Sequence, residues 1–180
     1  FEDFVAKYSL HNKKVIEIGT GKGEYLSLMK DCGVDAYGIE YAQDSVDVCR
    51  TTDLNVSKDY ITHLGYKLPN APFNAFFILN FFEHIPDPNA TLGALYHNTT
   101  DDAIGLIEVP NFDMILKNNL FTEFIGDHLF YFTKDTLRAT LERNGYEIIE
   151  CKDIWYECIT SATVRKRQKV DVSNFATQRR

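Results

Sequence analysis

The chain has 180 residues, 44% of them hydrophobic and 25% charged, proportions that suit one globular domain with a single sizeable core. Its formal charge of -7 is uneven: residues 164–180 carry six Lys or Arg against Asp171 alone, leaving 13 basic and 25 acidic residues, or -12, before them. An acidic body repels nucleic acid, no apolar run approaches the ~20 residues that span a bilayer, and no charged start followed by an apolar core marks a secretory signal.

The chain opens on Phe1 rather than Met, which leaves flanking segments open. Phe1, Phe4, Val5 and Tyr8 recur at helical spacing, and "NKKVIEIG" then reads as a short strand. "EYLSLMKDCG" places Tyr25, Leu26, Leu28, Met29 and Cys32 on one helical face and stops at Gly33. "VDAYGIE" is a second strand, followed by a helix from Gln43 to Arg50 and a weak third strand near Thr52 to Val56. "SKDYITHLG" reads as a further helix, capped by Ser57 and stopped by Gly65.

"FNAFFIL" is apolar on both faces, the pattern of a central strand covered on both sides. A helix starting at "PDPNATLG" and a strand "AIGLIEVP" follow. After the long aromatic segment 111–132, "TKDTLRATLERNG" opens with Thr133 as N-cap, and "YEIIECKDIWYECITSATV" supplies a terminal hairpin. The alternation predicts an α/β fold, a doubly wound sheet, mostly parallel with a C-terminal antiparallel hairpin. Ligands of such sheets bind at the carboxyl ends of the strands.

At the end of the first strand, "EIGTGKGEYL" puts Gly19, Gly21 and Gly23 in a G-x-G-x-G turn, one residue tighter than the dinucleotide-binding spacing. Glu40 follows Gly19 by 21 residues, near the distance expected of a ribose-binding carboxylate. Glu17 distinguishes the ligand, because a pyrophosphate would meet its negative charge whereas a sulfonium or ammonium would be favoured. S-adenosylmethionine carries both, and its ribose offers two hydroxyls to Glu40.

Together with "YGIE", "FFILNFFEHIPDP" and "GLIEVPNF", the turn resembles the class I S-adenosylmethionine-dependent methyltransferases, from about Val15 to Ile149. The resemblance implies a Rossmann-like methyltransferase domain over residues 1–164, with a basic tail at 165–180. It implies that Glu17, Gly19, Thr20 and Gly21 border the methionine portion, Glu40 takes the ribose and Tyr41 lies along the adenine. Asp53 and Leu54 would approach the adenine amino group, and Asn80 the sulfonium.

The second half, "IEVPNFDMIL" followed by "GDHLFYFTKDTLRATLERNGYEI", is similar to methyltransferases acting on nucleotide-linked sugars, especially the sugar C-methyltransferases. That likeness implies His128 as general base, with Asp127 and Tyr131 beside it and residues 111–132 as a lid over the acceptor. Ile125 and Gly126 depart from that family's Tyr-His, which leaves O-methylation in competition with C-methylation. His84 reads first as a helix-start residue, and Glu83 reads equally as a carboxylate reaching the acceptor pocket or as an exposed first-turn residue. No metal is expected: Cys32, Cys49, Cys151 and Cys158 lack metal-ligand spacing and read as reduced thiols of a cytoplasmic protein, and Asp101 with Asp102 is too weak a pair. Partners would be a small-molecule acceptor such as a nucleotide-sugar, with a homo-oligomer left open. The competing readings are a non-catalytic binding module on the same fold and a nicotinamide-dependent oxidoreductase.

Overall fold

The computed structural model describes residues 1–168. Seven strands form one sheet: β1 Lys14–Ile18, β2 Asp35–Glu40, β3 Asn55–Lys58, β4 Phe73–Leu79, β5 Thr99–Pro110, β6 Tyr146–Ile154 and β7 Ile159–Lys166. Their order is β3-β2-β1-β4-β5-β7-β6. The first five pair in parallel, and β7 enters antiparallel between β5 and β6. The chain order reverses between β1 and β4, so the crevice past their carboxyl ends is the natural ligand position.

Helices α1 Glu2–Lys7, α2 Glu24–Asp31, α3 Gln43–Thr51, α4 Pro88–Asn98, α5 Phe112–Lys117 and α6 Lys134–Arg143 supply the layers. Side chains alternate across β4. Phe76 and Ile78 join Leu92, Leu95, Leu137 and Tyr146 on one side, while Ala75, Phe77 and Leu79 join Val5 and Met29 on the other. Burying each large side chain contributes roughly 1.5–3 kcal/mol, so β4 anchors both layers. The helix starts are capped locally: Asp87 accepts the Ala90 N–H ahead of Pro88, and Thr133 forms a reciprocal box with Thr136.

Several boundaries differ from the sequence expectation. The third strand begins at Asn55, not near Thr52, because α3 continues to Thr51 and Asp53 turns the chain at φ 56°. No helix forms over 57–65. Ser57 and Lys58 extend β3, and the Asp59 N–H continues the ladder to Glu40 O at 3.0 Å. Asp59 then accepts from the Tyr60 N–H and the Tyr66 hydroxyl, and Ile61 is buried in the core. On α2 only Leu26 and Met29 are buried, with Tyr25 and Leu28 exposed.

The basic tail does not begin at 165, since Arg165 and Lys166 belong to β7. Lys166 is buried and donates to Thr99 O at 2.9 Å. From 169 onward the expected tail lies outside the described residues. Among the described residues no helix is long and apolar enough to cross a membrane.

Candidate active site

β1 delivers Glu17 to the edge of the glycine turn. Gly19, Gly21 and Gly23 take φ of 75°, 53° and 88°, a region that costs an L side chain about 1–2 kcal/mol. Their surroundings differ. A Cβ at Gly19 would come 2.2 Å from the Phe81 ring and one at Gly23 2.4 Å from Leu54 Cδ1, whereas one at Gly21 would meet nothing within 4 Å among the described residues. Gly23 thus serves helix packing, and Gly21 faces open space.

Glu17 is 1% exposed. Burial first, then the charges of Glu24 and Glu40, push its pKa up to about 8, against a backbone hydrogen bond at Leu26. Glu17 Oε2 and Thr20 Oγ1 are buried without a partner among the described residues. Buried polar atoms left this way call for a ligand that completes them, and an ammonium beside Glu17 with a polar group beside Thr20 would do so. The residues present therefore fit S-adenosylmethionine.

The Glu40 carboxylate ties the turn to the end of β2. Oε2 accepts the Gly21 N–H at 2.9 Å and Oε1 the Ala42 N–H at 2.8 Å. Each oxygen keeps acceptor capacity for a ribose hydroxyl. Glu40 lines a cleft together with Ile18, Gly19, Ile39, Tyr41, Asp59, Tyr60 and Phe81. The Tyr41 and Tyr60 rings meet edge to face at 6.2 Å.

Asp53 and Leu54 do not reach this cleft. Both precede β3: Asp53 pairs with Lys30 at 3.1 Å, and Leu54 is buried beneath Gly23. The acidic position after the third strand is Asp59, which sequence reasoning missed because it placed that strand too early.

After β4, Asn80 adopts φ 50°, is exposed, and donates its N–H to Glu108 O. This tight turn sends Phe81 over Gly19 and starts a 3-10 turn, Phe82–His84. The segment expected to form the lid is held to the same turn, because the N–H groups of Leu129 and Phe130 both donate to Glu83 O, at 2.9 and 3.1 Å. His128 consequently stands against His84, ring centroids 4.7 Å apart. Burial, then His84, pull the His128 pKa down, while Asp127 and Glu123 oppose them.

Of the other two residues expected at the reaction centre, Tyr131 sets its ring against His128, centroids 5.8 Å apart. The Tyr131 hydroxyl is engaged by Ile125, accepting its N–H at 2.9 Å and donating to its carbonyl at 3.2 Å. The Asp127 side chain is 72% exposed and meets His84 rather than His128, its carbonyl taking the His84 Nδ1 hydrogen bond at 3.0 Å. Glu83 is the residue whose weight rises: it is 3% exposed, its Oε2 lacks a partner among the described residues, and burial raises its pKa.

Over residues 2–151 the chain matches the family described as methyltransferase domain. It belongs to that family, within the class I S-adenosylmethionine-dependent methyltransferases, and S-adenosylmethionine is its cofactor. It is 24% identical over 139 residues to the C-methyltransferase NovU of Streptomyces niveus, covering 76% of this chain and 33% of that protein. It is 31% identical over 99 residues to the ubiquinone biosynthesis O-methyltransferase of Chromobacterium violaceum, covering 51% of this chain and 42% of that protein. The chain thus spans less than half the length of these curated relatives. Among solved structures, an Aquifex aeolicus SAM-dependent methyltransferase superposes with TM-score 0.72 at 16% identity, covering 92% of this chain and 88% of that one. A second, from Archaeoglobus fulgidus, gives TM-score 0.67 at 21% identity over 92% of each chain.

Proposed function

We propose that this domain transfers the methyl group of S-adenosylmethionine to oxygen or carbon of a small polar acceptor, a sugar or nucleotide-linked sugar, with His128 withdrawing the acceptor's proton. The observation that carries this reading is the convergence of the lid on the donor turn. Phe81 covers Gly19, and three residues later His84 meets His128. This contact supports a role for His128 as proton acceptor next to the donor turn. The named relatives, a C-methyltransferase and an O-methyltransferase, support both outcomes for the acceptor atom.

When bound, S-adenosylmethionine supplies an electrophilic methyl on a sulfonium. The chain contributes alignment, exclusion of water and a proton acceptor. Glu17, Thr20 and the Gly19–Gly21 backbone would hold the methionine portion, and Glu40 the ribose. Asp59 and the Tyr41–Tyr60 pair would flank the adenine. Residues 111–132 would close over the acceptor, with Phe112, Phe124 and Tyr131 packed ring against ring within that segment.

The test is calorimetric titration with S-adenosylhomocysteine, followed by turnover on a panel of nucleotide-linked sugars, free sugars and catechols. Binding with methylation of a sugar is the expected result. Failure of folded protein to bind would overturn the donor assignment, and turnover confined to catechols would overturn the acceptor class.

A further inference from the structure

Glu83, His84 and His128 each place one ligand-capable atom within 4.8 Å of the other two. Two imidazoles and one carboxylate facing one point form a donor set suited to first-row divalent ions, with positions left open for oxygen ligands. Single bonds of about 2.1 Å let one ion bridge atoms up to about 4.2 Å apart, so small rotations of the imidazoles would close the set.

Three independent details point the cluster toward an ion rather than toward mutual hydrogen bonding. First, Glu83 Oε1 and His84 Nε2 are 3.9 Å apart, too far to bond each other and a suitable spacing for two ligands of one centre. Second, Glu83 is 97% buried, being 3% exposed, and its Oε2 has no partner among the described residues. A buried carboxylate without a partner is costly, and a cation relieves that cost. Third, His84 already has the outer contact typical of a metal-bound imidazole. Its Nδ1 donates to Asp127 O at 3.0 Å, which fixes the tautomer and leaves the Nε2 lone pair turned to Glu83.

We propose that Glu83, His84 and His128 bind a divalent first-row metal ion at the acceptor side of the donor cleft. The backbone arranges this. The two hydrogen bonds from Leu129 and Phe130 to Glu83 O bring the lid's His128 onto the two ligands supplied by the 3-10 turn, so that closing the lid completes the site. The exposed Asp127 and the nearby Glu123 add negative charge around it.

The inference deepens the proposed function without depending on it. With an ion bound here, an acceptor hydroxyl on it would have a lowered pKa and would lose its proton to solvent, and His128 would then serve as ligand in place of the base role it has without the ion. O-methylation of an acceptor with adjacent hydroxyls, two of which could occupy the open positions, is the chemistry such a site serves.

The test uses the full chain and cobalt(II), whose visible absorption reports coordination directly. Stoichiometric uptake of one cobalt per chain is expected, with affinity lowered about tenfold or more in both Glu83→Gln and His84→Ala. Retained S-adenosylhomocysteine binding would show that the variants fold. Absence of saturable uptake, or equal affinity in wild type and both variants, would overturn the site. Methyl transfer unaffected by chelator, once cobalt binding is established, would overturn its catalytic part. The cobalt spectrum does not involve the acceptor, so a wrong acceptor class and a missing ion give different results.

Discussion

Phe81 lies across Gly19 so closely that one added methyl group at Gly19 would come 2.2 Å from its ring. The glycine is therefore demanded twice, by a φ of 75° and by the ring. Gly19→Ala should cost about 2–4 kcal/mol, combining left-handed strain with overpacking. Gly21→Ala, with only the strain, should cost about 1–2 kcal/mol. Denaturant midpoints compare the two. Equal losses would mean that the Phe81 ring moves aside freely.

Glu40 connects the glycine turn to β2 through two backbone hydrogen bonds. Hydrogen bonds to a charged group are each worth about 1.5–3 kcal/mol, less where water reaches them. Glu40→Ala should therefore loosen the turn and lower S-adenosylhomocysteine affinity about tenfold or more in calorimetry. Glu40→Gln preserves one acceptor oxygen and should fall between the two.

Glu17 makes stability fall as pH rises. Its pKa is about 8 in the folded chain against 4.5 for a free side chain, so between those values the folded state holds a proton that the unfolded state has lost. The stabilising contribution is complete below about pH 4.5 and declines toward about pH 8, with a slope approaching about 1.4 kcal/mol per unit. Glu17→Gln should flatten that slope in denaturant titrations at several pH values. In the native protein, an ammonium-bearing ligand should ionise Glu17 and release a proton. Binding heats measured in buffers of different ionisation enthalpy would show it, and identical heats would refute it.

The parallel core was legible because "VIEIG", "YGIE" and "FNAFFIL" are short apolar runs ended by glycine or polar residues, and β4 is buried on both faces as its pattern requires. The region from Thr52 to Gly65 was not. Its helical signal at Ser57 is overridden by the ladder to β2, a tertiary partner that local propensity does not contain. The Glu83–His84–His128 cluster escaped for a related reason. Its halves lie more than 40 residues apart and are joined by backbone bonds to Glu83 O, which leave no side-chain signature.

The shift of the third strand makes Asp59 and Asp53 a matched pair of tests. Asp59 borders the cleft beside Tyr60, whereas Asp53, before the start of β3, is bonded to Lys30. Asp53→Ala should leave S-adenosylhomocysteine affinity unchanged. Asp59→Ala should weaken it, since it removes a cleft carboxylate and the anchor of Tyr66. The reverse pattern in calorimetry would restore the earlier placement of the adenine contact.

Tyr131 and His128 should separate kinetically. The Tyr131 hydroxyl closes the turn at Ile125, three residues before His128, and its ring packs on Phe112 and Phe124. Tyr131→Phe keeps the ring and removes only the clamp. The lid would then order less readily around the acceptor, raising KM more than it lowers kcat. His128→Asn removes the imidazole that contacts His84 and should lower kcat about 10²–10⁴-fold with donor affinity intact. Steady-state kinetics on a common acceptor would distinguish them. A large kcat loss in Tyr131→Phe with KM unchanged would return its hydroxyl to the reaction centre, because a clamp on the lid acts on how often the site is formed and not on the chemistry within it.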